Sequence, residues 1–227
     1  MLKRLTERIW YYPMEEYRDR PNLGYIRGDN WSLAVDAGHS KAHTMEFYKA
    51  LEGDDLPLPR LTVLTHWHWD HTFGMHAVNG LCLANERTNQ YLIDIGRRLS
   101  EEGKAFFLDF DERIRNEYAG DRPVIVKPAD LVFHDSMMLD LGNCSVRIFQ
   151  ADAPHTDDST FIEVPGEGVL FVGDATCGAL PDWRKDPVLS KSLAETIRKS
   201  EATTCLEGHW VPVPKEDTIQ DLLETTS

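Results

Sequence analysis

The sequence feature that most constrains the fold is a run of metal-binding side-chain types placed directly after an apolar segment. The run is His66-Trp67-His68-Trp69-Asp70-His71, so four of its six residues carry an imidazole or a carboxylate. It follows Leu-Thr-Val-Leu-Thr at 61–65, a pattern typical of a buried strand. A loop at a strand end can turn several side chains toward one point, and imidazole with carboxylate suits zinc and similar cations. The segment therefore favours a metal site over a surface histidine run.

One loop cannot complete two coordination spheres, so further ligands must come from other strand ends. His155, Asp174 and His209 each follow a segment with strand character. Taken singly, each of these residues is more often an ordinary turn residue or a satisfied polar group, since such side chains favour turns. Their order behind the first motif makes them candidate ligands.

The ordered set resembles the metal-site pattern of the metallo-β-lactamase-fold superfamily, in the metallo-hydrolase branch whose first motif reads His-x-His-x-Asp-His. The resemblance extends from about Tyr25 to His209. It implies an α/β fold, an αββα sandwich of two mixed β-sheets with helices on the outer faces. It also implies a division of the metal ligands: His66, His68 and His155 for one cation, Asp70, His71 and His209 for the other, and Asp174 as a bridge between them.

The same resemblance implies a hydrolase with two zinc ions, with iron or manganese as alternative metals. Two cations about 3.5–4 Å apart can share a hydroxide, because together they lower the pKa of its parent water. Asp70 is the predicted catalytic residue, since it would orient this nucleophile and assist proton transfer. The expected substrate is a small ester, thioester, lactone or related molecule. Two alternatives stay open: a mononuclear iron oxidoreductase of the persulfide dioxygenase type, and a β-lactam hydrolase.

Several residues near the motifs receive supporting or structural assignments. Asp36 follows the segment Leu33-Ala34-Val35 and matches a family position that supports the metal-binding loop through hydrogen bonds. We expect His39, in the next loop, at the surface, with a position facing the substrate as the alternative. The remaining histidines, His43, His76 and His134, are interpreted as structural.

The rest of the chain alternates between strand and helix patterns. A hairpin is predicted over 25–35, and a helix from the capping residue Ser40 to Gly53. Later helices are indicated around 91–99, 189–197 and 219–223, with strands between 134 and 174. The charged segment 85–120 contains three phenylalanines and leaves three interpretations open: a lid, a homodimer contact or ordinary packing.

Composition limits the partners and the compartment. The 227 residues, 41% of them hydrophobic, suit a single globular domain over 1–227. A formal net charge of −14 opposes nucleic acid binding, so a small molecule is the expected substrate. The four cysteines form no CxxC pair, which indicates free thiols. The charged N-terminus lacks a signal-peptide pattern and no apolar run could cross a membrane, so we expect no membrane association and a cytoplasmic protein.

Overall fold

Two β-sheets lie face to face in the computed structural model, which describes residues 1–120 and 122–224. The strands of the first sheet, in their order across it, are β1 (Lys3–Arg4), β2 (Ile9–Tyr12), β3 (Leu23–Arg27), β4 (Ser32–Val35), β5 (Leu61–Val63), β6 (Leu81–Asn85) and β7 (Leu131–Phe133). Those of the second sheet are β8 (Ser136–Asp140), β9 (Ser145–Gln150), β10 (Thr160–Val164), β11 (Val169–Gly173), β12 (Thr204–Glu207) and β13 (Val213–Pro214). Its order is β13-β12-β11-β10-β9-β8.

Both sheets are mixed. In the first sheet the pairs from β1 to β4 are antiparallel and those from β4 to β7 are parallel. In the second sheet β11 and β12 run parallel, whereas the other neighbours are antiparallel. Parallel neighbours bring their carboxyl ends to the same edge of a sheet. The segments that follow β4, β5, β11 and β12 supply most of the site described below.

Central strands are apolar on both faces because each sheet is covered on both sides. On β10, Ile162 packs between the two sheets, while the adjacent Phe161 packs in the outer layer with Leu193 and Ile197. Successive side chains of a strand point to opposite faces, so one short strand serves two cores. The hydrophobic core between the sheets is built in this way from strands of both.

Helices cover the two outer faces. Their bounds are α1 (Lys41–Gly53), α2 (Trp69–Thr72), α3 (Glu86–Glu102), α4 (Ala105–Leu108), α5 (Glu112–Glu117), α6 (Pro187–Lys199) and α7 (Lys215–Glu224). Helix α1 packs on the first sheet, and α6 and α7 pack on the second. The predicted αββα sandwich is confirmed, as is the cap on α1, where the Ser40 hydroxyl accepts from the amides of Ala42 and His43. None of the helices among the described residues combines the length and apolar character needed to span a bilayer.

The segment 85–120 folds into α3, α4 and α5, and α3 packs beside β6 and β7 of the first sheet. Phe107 is buried and contacts Phe73 and Tyr118. A buried ion pair ties α5 to the loop between β2 and β3: Arg20 donates to both carboxylate oxygens of Glu117 at 2.8 and 2.9 Å. Part of the segment is therefore ordinary packing, and a lid or a homodimer contact there stays a prediction.

Gly24 on β3 allows the two sheets to approach closely. A Cβ at this position would lie 2.5 Å from Cε1 of Phe171, on β11 of the opposite sheet. The Phe171 ring is itself buried in the core between the sheets and has little room to move. The contact therefore requires a residue without a side chain.

We predict that Gly24→Ala lowers the free energy of unfolding by about 1–3 kcal/mol through overpacking. Gly53→Ala is the matched control, since a Cβ there meets nothing within 4 Å and alanine favours a helix. Urea unfolding followed by circular dichroism measures both variants. Equal stability of Gly24→Ala and the unsubstituted protein would contradict this account of the inter-sheet contact.

Candidate metal centre

All seven predicted ligands lie together at one edge of the sandwich, in two groups. The first group contains His66, His68 and His155, and the second contains Asp70, His71, Asp174 and His209. Within each group the candidate ligand atoms lie within 4.8 Å of one another. Six of the seven residues are buried, and His209 is partly exposed. Residues separated by more than a hundred positions in sequence therefore form one cluster.

Strand ends position these side chains. The first motif leaves the end of β5 and enters α2, Asp174 directly follows β11, and His209 follows β12. The two latter strand ends are linked, because the amide of Gly208 donates to the Gly173 carbonyl at 2.9 Å. A Cβ on Gly208 would lie 2.1 Å from Oδ1 of Asp174, so this carboxylate reaches its position because the neighbouring residue is glycine.

The Asp174 carboxylate lies between the two groups. Its Oδ1 is 3.4 Å from Nε2 of His71, and its Oδ2 is 3.5 Å from Nε2 of His209. The same Oδ2 lies 4.0 Å from Nε2 of His155, in the first group. One carboxylate thus faces imidazole nitrogens of both groups.

Several of these polar atoms are buried without a hydrogen-bond partner. Among the described residues, Nε2 of His66, Nε2 of His71 and Oδ1 of Asp174 receive or donate no hydrogen bond. Burying an unsatisfied polar atom costs roughly 1–3 kcal/mol, so three together would be a substantial defect. A cation that accepts these lone pairs removes the defect. The donor set therefore fits a metal for two reasons: its buried atoms lack hydrogen-bond partners, and imidazole and carboxylate are common metal ligands.

The first group consists of neutral imidazoles. Burial, followed by the neighbouring imidazoles, lowers the pKa of His66 well below its ordinary value. Burial and the adjacent His155 lower the pKa of His68 to about 3, and burial also lowers the pKa of His155. Neutral imidazole is the form that binds a metal, so this group is ready to coordinate at neutral pH.

The second group combines imidazoles with carboxylates, and here the pKa values of the imidazoles are raised, not lowered. Burial disfavours the charged form of His209, yet the carboxylates of Asp174 and Asp70 outweigh it and raise its pKa to about 9. The same carboxylates raise the pKa of His71 above its ordinary value against burial. Without a cation this group therefore holds protons at neutral pH.

Asp36 supports the second group through hydrogen bonds, as the sequence predicts. Its carboxylate accepts from the backbone amide of Thr65 at 2.7 Å and from the Thr65 hydroxyl at 2.9 and 3.0 Å. Its Oδ2 also lies 2.7 Å from Nδ1 of His71, which leaves Nε2 of that ring facing the donor cluster. His155 is held similarly, with Nδ1 at 2.7 Å from the Gly178 carbonyl. Such contacts fix the tautomer and orientation of a ligand.

The prediction of a surface position for His39 was wrong. The side chain is fully buried, its Nδ1 lies 2.8 Å from the Arg18 carbonyl, and its ring contacts Tyr118 edge-on. The loop is covered by residues 15–20 and by the end of α5, long-range contacts that no local pattern reveals. Of the other histidines, His43 is buried, whereas His134 is exposed beside Glu86.

A cavity of about 370 Å³ opens over the donor groups. Its wall includes Asp19, Arg113 and Trp210, which the sequence analysis missed because nothing in their local sequence separates them from surface residues. Cys177 also lines it, and burial raises the pKa of its thiol to about 12, in keeping with an unreactive cysteine. Trp69 is buried and also borders the cavity, so it serves both as packing and as part of the cavity wall.

Comparison with known proteins agrees with this geometry. A sequence model of the metallo-beta-lactamase superfamily matches residues 17–209. The chain belongs to the metallo-beta-lactamase superfamily. No curated protein matched the chain in the sequence comparison.

Solved structures of metallo-beta-lactamases share the superfamily fold with this chain. One from Pontibacter korlensis superimposes with a TM-score of 0.72 at 16% identity, covering 100% of this chain and 98% of the other. One from Hirschia baltica gives 0.70 at 18% identity, covering 100% and 97%. FIM-1 from Pseudomonas aeruginosa, in its mono-zinc form, gives 0.66 at 16% identity, covering 100% and 94%. At these identities the likeness shows the fold alone.

We predict that Asp36→Ala lowers zinc affinity by about 10–100-fold, because His71 loses the group that orients its ring. Asp94→Asn, on the exposed side of α3, is the control and should bind zinc as the unsubstituted protein does. Competition with a chromophoric chelator measures the affinity. Unchanged affinity in Asp36→Ala would show that the ring needs no such support.

Zinc affinity of the second group should rise with pH. A cation must displace the proton that His209 holds in the metal-free protein, and this competition weakens as the pH approaches the pKa of that side chain, about 9. The first group, already neutral, should show little dependence near pH 7. Calorimetry at pH 7.5 in buffers of different ionisation enthalpy should detect release of about one proton or more. The absence of proton release would contradict the charge state assigned to His209.

Proposed function

We propose that this superfamily member is a dinuclear metal-dependent hydrolase that holds two zinc ions and acts on a small ester, thioester, lactone or related substrate. The observation that carries the proposal is the placement of the Asp174 carboxylate between the two donor groups, within 3.5 Å of His209 and 4.0 Å of His155. A single cation would occupy one group and leave an unsatisfied buried nitrogen in the other, Nε2 of His66 or Nε2 of His71. The two groups are thus best explained as a pair of adjacent sites.

Each donor group has a definite role in this proposal. His66, His68 and His155 would hold one cation, Asp70, His71 and His209 would hold the other, and Asp174 would contact both. When bound, such a pair of cations lowers the pKa of a shared water and polarises the carbonyl oxygen of the substrate.

Asp70 is the group best placed to act on the reacting atoms. Its Oδ2 lies 2.8 Å from Nε2 of His209 and 3.2 Å from Nε2 of His71, and its side chain borders the cavity. The neighbouring imidazoles outweigh the effect of burial and keep its pKa low, so it stays ionised as a hydrogen-bond acceptor. We assign Asp70 the role of orienting the attacking water and accepting its proton.

The cavity supports a small substrate. Its 370 Å³ falls near the lower end of the range usual for sites that bind small molecules, about 300–1,000 Å³. A cytoplasmic location and a homodimer stay predictions from the sequence.

The test combines metal analysis with a substrate screen. We expect about two zinc ions per chain and hydrolysis of at least one ester, thioester or lactone. Asp70→Ala should lower kcat/KM by roughly 10²–10⁴-fold, whereas Asp94→Asn should leave it unchanged. Metal content is measured on each variant, so that loss of a cation is separated from loss of the proton acceptor.

Three outcomes would contradict the proposal. One iron per chain with oxygen uptake would favour the persulfide dioxygenase type, hydrolysis confined to β-lactams would favour a β-lactamase, and activity unaffected by Asp70→Ala would remove the assigned mechanism.

A further inference from the structure

Three exposed aromatic side chains surround the opening of the cavity. Phe110 is 51% exposed, Trp183 is 49% exposed and Trp210 is 60% exposed. They come from three separate segments: the link between α4 and α5, the loop 177–186, and the residues after β12. In the part of the chain that the structure describes, no other phenylalanine or tryptophan is exposed. We call these three residues the aromatic mouth, and such clustering of exposed aromatics marks a binding surface.

Trp183 is fixed beside the predicted metal ligands. Its ring lies parallel to that of His155, with an interplanar angle of 14° and centroids 5.9 Å apart. Its φ of 56° lies in the left-handed region, a conformation that costs on the order of 1 kcal/mol or more for a bulky residue. Backbone pairing of Ala179 with Arg184 closes the loop and holds it in place. Strain retained at an exposed tryptophan points to a role in binding.

Phe110 and Trp210 also line the cavity, and each lies next to residues of the predicted metal centre. Phe110 contacts Trp69 edge-on, with centroids 5.1 Å apart, and Trp69 lies between two predicted ligands in sequence. Trp210 directly follows His209, and its carbonyl accepts from Nδ2 of Asn22 at 2.6 Å. The aromatic mouth is therefore continuous with the donor groups.

Charged groups elsewhere on the cavity wall do not favour an anionic substrate group. Arg113 is the sole arginine or lysine on the described wall, and its guanidinium contacts Asp19 at 2.8 Å and Asp111 at 3.2 Å. Glu16 adds a further negative charge to the wall. Outside the donor groups, a substrate carboxylate would find no unpaired cationic side chain there.

On the basis of the proposed hydrolase function, we propose that the aromatic mouth binds an uncharged apolar acyl chain next to the carbonyl group that is hydrolysed. Apolar surface removed from water stabilises the complex in proportion to its area. Selectivity for an alkyl or aryl chain over a charged chain of the same length follows from the aromatic wall and the neutralised arginine.

The experiment compares p-nitrophenyl acetate, butyrate and hexanoate with the mono-p-nitrophenyl ester of adipic acid, using the zinc-loaded protein. We expect kcat/KM to rise about two- to fourfold per added methylene, and the adipate ester, which carries a terminal carboxylate, to fall well below the hexanoate. Trp183→Ala and Trp210→Ala should each lower the hexanoate-to-acetate ratio, whereas Trp183→Phe and Trp210→Phe should retain most of it. Met138→Ala, an exposed apolar residue on β8, is the control and should keep the ratio.

The outcomes separate this inference from the proposed function. If the acetate is hydrolysed but the ratio stays near one, the aromatic mouth does not bind the chain and the inference is overturned, while the hydrolase function stands. If no ester, thioester or lactone is hydrolysed, the hydrolase function fails. Binding of the neutral fluorophore N-phenyl-1-naphthylamine then decides the inference: weaker binding to both Trp→Ala variants supports an apolar site, and equal or absent binding overturns it.

Discussion

The packing of the two sheets against each other sets the distances between the donors of the first motif and those that follow β11 and β12, because these donors come from different sheets. The first motif follows β5 of the first sheet, whereas Asp174 and His209 follow β11 and β12 of the second. At this edge the amide of Thr160 donates to the Thr65 carbonyl at 2.7 Å and joins the two layers. The apolar core between the sheets thus supplies the free energy that holds buried polar groups together before any cation binds.

The two donor groups differ in charge, and this difference follows from the residues around them. Three imidazoles without a carboxylate of their own form a neutral group, since burial disfavours their protonated forms. The second group has two carboxylates that stabilise protons on His71 and His209. Asp174 faces both, so a cation bound in either group alters the field felt by the other. Occupancy of the two groups is therefore expected to be coupled.

Sequence reasoning went furthest where a pattern was dense or where its physical cause was local. The run at 66–71 carries four ligand types within six residues, and Ser40 with Gly53 correctly set the limits of α1. Sequence reasoning failed where the position of a residue depends on contacts with segments far away in the sequence. The burial of His39 arises from residues 15–20 and α5, and the cavity wall at Asp19 and Arg113 forms from segments almost a hundred residues apart. No local signal distinguishes such residues from loop surface.

The buried ion pair of Arg20 with Glu117 has a consequence for how molecules enter the site. It fastens α5 to the loop that carries Asp19, so these two neighbouring segments of the entrance are joined by charges with little contact to water. Swinging α5 outward would separate a guanidinium from its carboxylate, and leaving one buried charge alone costs roughly 3–5 kcal/mol. That side of the opening is consequently a rigid frame and does not work as a hinge. Molecules that enter or leave the site then have to use the rest of the opening, where the exposed rings of Trp183 and Trp210 lie.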